Sequence, residues 1–443
     1  MKRFLSLLIL LLLALSACVS PADTRETTTC ATTETRAETE TDVITSNAVT
    51  EEQTTAERTE DTTQSPPEKT EKPTVKGYIL IEPGVAMIYG SCAKDSEIKL
   101  KSDIEEFTAH SDGEYFAVAA ALNEKGKTEI TLAAKADGAK ESDTVSLSMK
   151  NNKNASKSNV TVTLGSRVIE KKVLPDIYGT NVMSDDEIKA LKKNVQYRIR
   201  TAKKRAGKDV KTVYIIVPDP LTVYSEELTE EMNDSIVSKN ARMKQVVDVL
   251  SKIDGATVID LTETLIENKD KGKLYYKLDS HWTELGAFYG YQTVMKTLGL
   301  PYHELSDYSV DYIDIDDTNM NVYSGVGLGE MYESAPYLTA KFKEKTPYGK
   351  NKEDTARIWS FVNEFFSGRQ SRTDIDEDGP TAMFLFDSYG LNIIPYLAEH
   401  FKTFVTQPIW SYSVDYSLVS EIEPDYIIEL LAERDLNELL TGT

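Results

Sequence analysis

Five apolar runs set the main constraint on this chain: Val213–Val217, Thr257–Leu261, Ala382–Phe386, Thr403–Thr406 and Tyr426–Leu430. Each has the length of a short strand and is apolar at successive positions, the pattern of a strand buried on both faces. Helical stretches lie in the same region, at Ser184–Arg205, Lys239–Lys252, Glu284–Leu298 and Leu391–Phe401. Ser184 followed three residues later by Glu187 is a capping box that fixes the start of the first. Strands alternating with helices predict an α/β fold, a parallel sheet with helices on both faces. Ligands of such folds sit beyond the carboxyl ends of the strands, so chemistry is expected there.

Ahead of this region the period changes to two. Short alternating runs between Lys76 and Lys150, among them Tyr78–Ile81, Ala86–Tyr89, Tyr115–Val118 and Thr128–Leu132, are punctuated by Gly, Asp and Asn. They predict a small β-sandwich over 76–150, similar to the Ig-like modules of bacterial surface proteins. A spacer or weak binding role is expected of it, with His110 in an exposed polar loop. The polar run Asn151–Asn159 is a joint, and the α/β domain is expected over 160–443.

The N-terminus has a different composition. Lys2 and Arg3 precede an apolar run from Phe4 to Leu15, the proportions of an export signal and too short to span a bilayer comfortably. Leu15-Ser16-Ala17-Cys18 resembles a bacterial lipobox, which implies a signal peptide over 1–17 and acylation of Cys18. That implies an extracytoplasmic protein held by lipid to a bacterial membrane. Between Pro21 and Thr74 lie 18 threonines and 13 acids against 5 bases, with no aromatic residue. Such a segment buries too little apolar surface to offset chain entropy, so 18–75 is expected to be a disordered tether. The net charge of −22 disfavours nucleic acid as a partner. Three cysteines, Cys18, Cys30 and Cys92, give neither a disulfide framework nor a CxxC metal site.

Two short motifs carry candidate chemistry. Tyr275-Tyr276-Lys277-Leu278-Asp279-Ser280-His281-Trp282-Thr283 stands before a helix, with Thr283 suited to the N-cap. Asp279 and His281, two apart on an extended approach, suit a carboxylate orienting an imidazole. Phe384-Leu385-Phe386-Asp387-Ser388-Tyr389-Gly390 ends a strand and opens a helix; a serine there projects beyond the sheet edge, next to the free amides of a helix N-terminus. Pro395 requires that helix to begin late or to kink. Taken singly, each motif also reads as an ordinary helix entry: a polar approach with an inert His281, and an Asp/Ser N-cap.

Together the motifs resemble the SGNH hydrolase-like proteins of the DHHW and alginate O-acetyltransferase group, in which Asp-x-His-Trp precedes the Ser of Asp-Ser-Phe/Tyr. The resemblance extends over about Val160–Leu440 and includes Val217-Pro218-Asp219-Pro220, Tyr224, Pro424–Glu429 and Glu433-Arg434. It departs at Phe386, where Gly often precedes Asp-Ser, and at Ser280, where the family name has His. The resemblance implies an SGNH-like (flavodoxin-like) sheet and a Ser388–His281–Asp279 triad forming an acyl-enzyme. It implies O-acetylation of a cell-surface polysaccharide, with a membrane O-acyltransferase as a partner that passes acetyl groups outward. Ser388 N–H is the expected oxyanion donor, and Ser324-Gly325-Val326-Gly327 a candidate for another. Trp282, Tyr389 and Trp410, with Tyr412 nearby, are candidate stacking surfaces for sugar rings and read equally as core residues. Two alternatives stay open: a carbohydrate acetyl esterase and a non-catalytic surface glycan-binding protein.

No cofactor is expected and no metal. His303 and His400 read as surface or helix-end residues, and Asp314, Asp316 and Asp317 as a solvated loop. Asp374-Ile375-Asp376-Glu377-Asp378-Gly379 resembles part of a calcium loop but lacks the distal Glu.

Overall fold

The computed structural model describes residues 68–152, 160–163, 167–316, 331–342, 371–374, 378–409 and 414–440. The expected signal peptide, Cys18, Cys30 and the tether up to residue 67 lie outside the described residues, as do Trp410, Tyr412, Asp317, Ser324–Gly327 and Ile375–Glu377 of the acidic run. No described helix is long and apolar enough to cross a membrane.

The N-terminal part has seven antiparallel strands: β1 Thr74–Glu82, β2 Val85–Ser91, β3 Glu97–Ser102, β4 Glu106–His110, β5 Tyr115–Ala121, β6 Lys127–Lys135 and β7 Val145–Lys150. They form two sheets, in the orders β1-β2-β5 and β4-β3-β6-β7. The period-two pattern produces this directly: Ile88, Val118, Ile98, Leu100, Ile130 and Leu132 point inward into one core between the sheets. The fold starts earlier than composition suggests. Thr70 is buried, its amide bonds Lys140 O at 2.9 Å and its hydroxyl accepts from Ala136 N at 3.0 Å, so residues 68–75 belong to the sandwich and not to the tether.

The sandwich is packed directly against the C-terminal part of the chain. The outer face of the β1-β2-β5 sheet has its own apolar positions, Ile81, Met87 and Tyr89. These pack on the short hairpin β8 Val160–Val162 and β9 Val168–Glu170, on Tyr276 and Leu278, and on Met331 and Ala335. Ala335 lies in, and Met331 just before, the second strand of a further hairpin that the sequence pattern does not announce, β12 Tyr308–Asp316 paired with β13 Tyr332–Ala340. Asp314 and Asp316 therefore lie on a strand, not in a loop.

The α/β part shows the expected alternation of strands and helices. Its strands are β10 Lys211–Val217, β11 Ala256–Asp260, β14 Ser371–Asp374, β15 Thr381–Phe386, β16 Thr403–Pro408 and β17 Tyr426–Ala432. They form one sheet in the order β11-β10-β17-β15-β16-β14, with all neighbours parallel except the antiparallel edge strand β14. Its longer helices are α1 Asp185–Ala206, α2 Ala241–Leu250, α3 Thr262–Asn268, α4 Glu284–Leu298, α5 Gly390–Ala398 and α6 Tyr416–Ile422. The Ser184/Glu187 capping box starts α1, and Thr283 caps α4 through Gly286 N.

Alternate residues of each central strand go to opposite faces. Val213, Ile215, Phe384, Phe386, Ile428 and Leu430 meet α4 and α5 residues in one core. Tyr214, Ile216, Met383, Leu385, Ile427 and Leu431 meet α1 and α2 residues in the other. Glu429 breaks the apolar run of β17 and is matched by Arg198 of α1, whose Nη1 lies 2.7 and 2.9 Å from its two oxygens. At 5% and 10% side-chain exposure this is an ion pair inside the sheet–helix layer, where losing either partner strands a charge.

Candidate active site

The carboxyl ends of the adjacent strands β10, β17 and β15 converge on one place. Each strand is followed almost at once by charged residues: Asp219 after β10, Glu433 and Arg434 after β17, Asp387 and then Ser388 after β15. The turn from β15 to α5 is tight. A Cβ on Gly390 would lie 2.4 Å from Phe386 Cβ, so only glycine lets the helix start this close to the strand. Asp387 holds the turn from beneath: its carboxylate accepts Tyr389 N at 2.9 Å and Ala432 N at 2.6 Å, tying the serine loop to the end of β17. Pro395 falls inside α5 instead of its first turn, leaving the Leu391 carbonyl without that helix bond.

The other motif is a narrow reversal of chain between the turn at 269–271 and α4. Tyr275 bridges Trp282, Tyr276 N bonds His281 O at 3.1 Å, and Thr283 N bonds Leu274 O at 2.8 Å. Asp279 sits at its tip, 4% exposed. One of its oxygens, Oδ1, takes both His281 N at 2.7 Å and His281 Nδ1 at 2.5 Å. The other imidazole nitrogen, Nε2, is 2.7 Å from Ser388 Oγ. With Nδ1–H committed to the carboxylate, Nε2 is the acceptor for the serine proton. The 107 residues separating His281 from Ser388 are thus closed to one hydrogen bond. The Ser388 amide has no partner among the described residues and is the available oxyanion donor.

Four contacts stitch the motifs together. Trp282 Nε1 donates to Tyr389 O at 2.9 Å, and Asn392 Nδ2 donates to Trp282 O at 2.8 Å. The Tyr389 hydroxyl donates to Ser280 O, and Arg434 Nη2 donates to the same carbonyl at 3.0 Å. Two expectations are corrected by this. Trp282 is fully buried and Tyr389 is 1% exposed, so neither presents a face to a sugar; both hold the histidine loop against the serine turn. The Tyr389 ring lies 5.0 Å from the His281 ring and supports it.

Beneath the triad lies a buried charged group to which the sequence alone assigns no role. Arg434 Nη2 is 2.7 Å from Asp219 Oδ1, and the Arg434 side chain also lies over the Tyr389 ring at 5.0 Å. Glu433 Oε2 accepts Asp219 N at 2.9 Å and the Thr222 hydroxyl at 2.7 Å. Burial pushes the Asp219 carboxyl up to about 6, against the pull of Arg434. Burial, with Asp435 nearby, takes Asp387 to about 7, and burial with Asp219 takes Glu433 to about 8. A signal that could find them is present in the chain: acidic and basic residues directly after fully buried parallel strands.

The remaining histidines stand apart from the triad. His400 Nε2 is 2.6 Å from the Tyr291 hydroxyl, and His303 stacks on Phe342 at 4.1 Å. His110 ends β4 and is exposed. Among the described residues no group of His, Cys, Asp and Glu has the arrangement to hold a metal ion.

Residues 180–310 match the family model of the SGNH hydrolase-like domain of the acetyltransferase AlgX. That match contains Asp279 and His281 and ends before Ser388. Three solved structures are similar. Bacillus cereus PatB1 with a sulfonyl adduct shares 15% identity over 64% of this chain and 97% of that one, TM-score 0.47. A DHHW family protein from Eubacterium siraeum shares 13% over 70% and 92%, TM-score 0.44. The O-acetyltransferase domain of Pseudomonas putida AlgJ shares 13% over 64% and 94%, TM-score 0.37. No curated protein sequence matches.

Proposed function

We propose that this chain, whose residues 180–310 match the model of the SGNH hydrolase-like domain of the acetyltransferase AlgX, is an extracytoplasmic O-acetyltransferase acting on polysaccharide through an acyl-enzyme on Ser388. The observation that carries the reading is the relay itself: Asp279 Oδ1 at 2.5 Å from His281 Nδ1, and His281 Nε2 at 2.7 Å from Ser388 Oγ.

His281 takes the Ser388 proton as Oγ attacks the carbonyl carbon of an acetyl ester. The new C–O bond gives a tetrahedral oxyanion, met by the Ser388 amide and the positive end of α5. As the carbonyl re-forms, the donor's C–O bond breaks and His281 returns the proton to the leaving alkoxide. A sugar hydroxyl then enters, gives its proton to His281, attacks the acetyl carbon and leaves as the acetate ester, while Ser388 regains its proton. Asp279 stays ionised and stabilises the imidazolium through both half-reactions.

Acylation of Cys18 would hold the chain at a membrane, with the Thr-rich segment giving reach toward the polymer. Outside the cytoplasm a membrane O-acyltransferase is the natural donor of acetyl groups. The test uses purified wild type and Ser388→Ala with a chromogenic acetate ester, a glycan acceptor and mass spectrometry of the glycan. Wild type is expected to yield acetylated glycan and to be labelled at Ser388 by a sulfonyl fluoride; Ser388→Ala is expected to do neither while keeping its fold. Transfer by Ser388→Ala at the wild-type rate removes the proposal, and release of acetate alone reassigns the site to an esterase.

A further inference from the structure

The segment that presents Asp279 and His281 is held from the side by the N-terminal sandwich. Asp112, in the turn between β4 and β5, reaches across: its Oδ1 is 3.0 Å from Lys273 Nζ and its Oδ2 is 3.3 Å from Lys277 Nζ. Lys277 Nζ also donates to His110 O at 3.3 Å, and Lys273 Nζ to Ser334 O at 3.1 Å. Lys273 Nζ lies 3.0 Å from Glu333 Oε1 as well. Glu333, 1% exposed, accepts the backbone amides of Lys277 at 2.9 Å and Leu278 at 2.6 Å. Leu278 is the residue before Asp279.

The chain of contacts is therefore continuous from the sandwich turn, through two lysines and one buried glutamate, to the backbone next to the orienting carboxylate. The turn is shaped for this approach. Gly113 has φ +60°, and a Cβ on it would lie 3.3 Å from Ser334 Cβ. Apolar packing runs in parallel, with Met87 and Tyr89 of the sandwich sharing a cluster with Tyr276 and Leu278. Burial works against the Asp112 charge, but Lys273 and Lys277 outweigh it and hold the carboxyl below its ordinary pKa. Burial likewise opposes the Lys273 charge, and Asp112 with Glu333 outweighs it. Burial raises the Glu333 carboxyl even with Lys273 beside it, so the four groups compensate one another in part, and removing one leaves net charge in a nearly closed space.

A module serving only as a spacer would have no need of charged groups placed against a catalytic loop. We propose that the β4–β5 turn of the sandwich is a positioning element of the active site, with Asp112 acting through Lys273, Lys277 and Glu333 to fix the Asp279–His281 loop against Ser388. The proposal deepens the reading of that site as an acyl-transfer triad, yet its test does not depend on that reading alone. Small displacements of a catalytic group cost about tenfold to a hundredfold in rate.

The experiment compares wild type, Asp112→Asn, Asp112→Glu and Ile130→Ala in the full chain. Ile130 is fully buried in the sandwich core and makes none of the contacts of the Asp112 network, so its truncation destabilises the sandwich without touching the turn. Two readouts are taken well below each melting temperature. The first is turnover of an acetate ester. The second is the His281 ring signal in a proton–carbon correlation spectrum, assigned with His281→Gln and readable because the chain has four histidines.

Asp112→Asn is expected to lower kcat about tenfold or more with KM unchanged and to shift or broaden the His281 signal. Asp112→Glu keeps the charge and is expected to recover most of both, and Ile130→Ala to lose only stability. Wild-type kcat and an unmoved His281 signal in Asp112→Asn overturn the proposal. If wild type itself shows no turnover, the proposed activity falls, and the His281 signal alone decides the positioning role. Should Asp112→Asn fail to fold, Lys277→Gln removes the direct ion pair between Asp112 and the loop while keeping the Lys273 path; a lowered kcat with a shifted His281 signal supports the proposal, and wild-type kcat with an unmoved signal overturns it.

Discussion

Replacing Arg434 by Met removes the cation paired with Asp219, and the structure fixes how the cost must vary with pH. The Arg434 side chain is 5% exposed, its Nη2 lies 2.7 Å from Asp219 Oδ1, and the same nitrogen serves Ser280 O and the Tyr389 hydroxyl. Asp219 is wholly buried, and burial already raises its pKa to about 6 with Arg434 opposing. A raised carboxyl favours folding most at low pH, and its contribution is lost as pH climbs from the unfolded pKa to the folded one. Without Arg434 the folded pKa rises further, so that loss continues where the wild type has levelled off. At pH 5 both proteins carry the Asp219 proton, and the variant loses only hydrogen bonds, about 1–2 kcal/mol. At pH 8 the variant keeps a proton that the wild type has released about 2 pH units lower, which adds about 3 kcal/mol at about 1.4 kcal/mol per unit. Urea unfolding of both proteins at pH 5 and pH 8 measures the two differences. Equal destabilisation at the two pH values, or a larger one at pH 5, would refute the assignment of Arg434 as the partner of a titrating Asp219. Acetyl-ester turnover by the variant is also expected to fall at pH 5, because Ser280 O loses a donor beside His281.

Trp282→Ala is expected to cost about 3–5 kcal/mol, since the ring is fully buried and its Nε1 bonds Tyr389 O; a normal melting temperature with only a raised KM for glycan would instead restore the sugar-stacking role. Gly390→Ala forces a Cβ to within 2.4 Å of Phe386 Cβ, so a loss of about 1–3 kcal/mol and slower sulfonyl fluoride labelling of Ser388 are expected. Wild-type stability and labelling of Gly390→Ala would show that the strand-to-helix turn has more room than its geometry implies.

The parts of the structure that are legible in the sequence are those that a local pattern determines. The five parallel strands are readable because burial on both faces leaves continuous apolar runs, and α1 and α4 because Ser184 and Thr283 cap them with their own side chains. The Asp279–His281 pair is legible for the same reason: two residues apart, they meet through one short reversal of chain. What is not legible depends on residues far apart. Nothing near Trp282 announces that its indole closes onto a carbonyl 107 positions later, so an aromatic beside a motif reads equally as a ligand platform or as core, and only the fold shows that it is a strut. The sandwich reads as a spacer because its alternation describes only its inner face; the outer positions Ile81, Met87 and Tyr89 look like ordinary half-buried strand residues until Tyr276 and Leu278 cover them. Asp112 and Lys273, 161 positions apart, each look like surface charge, and only the approach of Lys273 to both Asp112 and Glu333 makes either one part of a site. The two short motifs therefore name the atoms of the proposed triad. How firmly they are held is decided by pairs such as Asp112–Lys273 and Arg434–Asp219, whose partners are contributed by the sandwich and by the ends of β10 and β17.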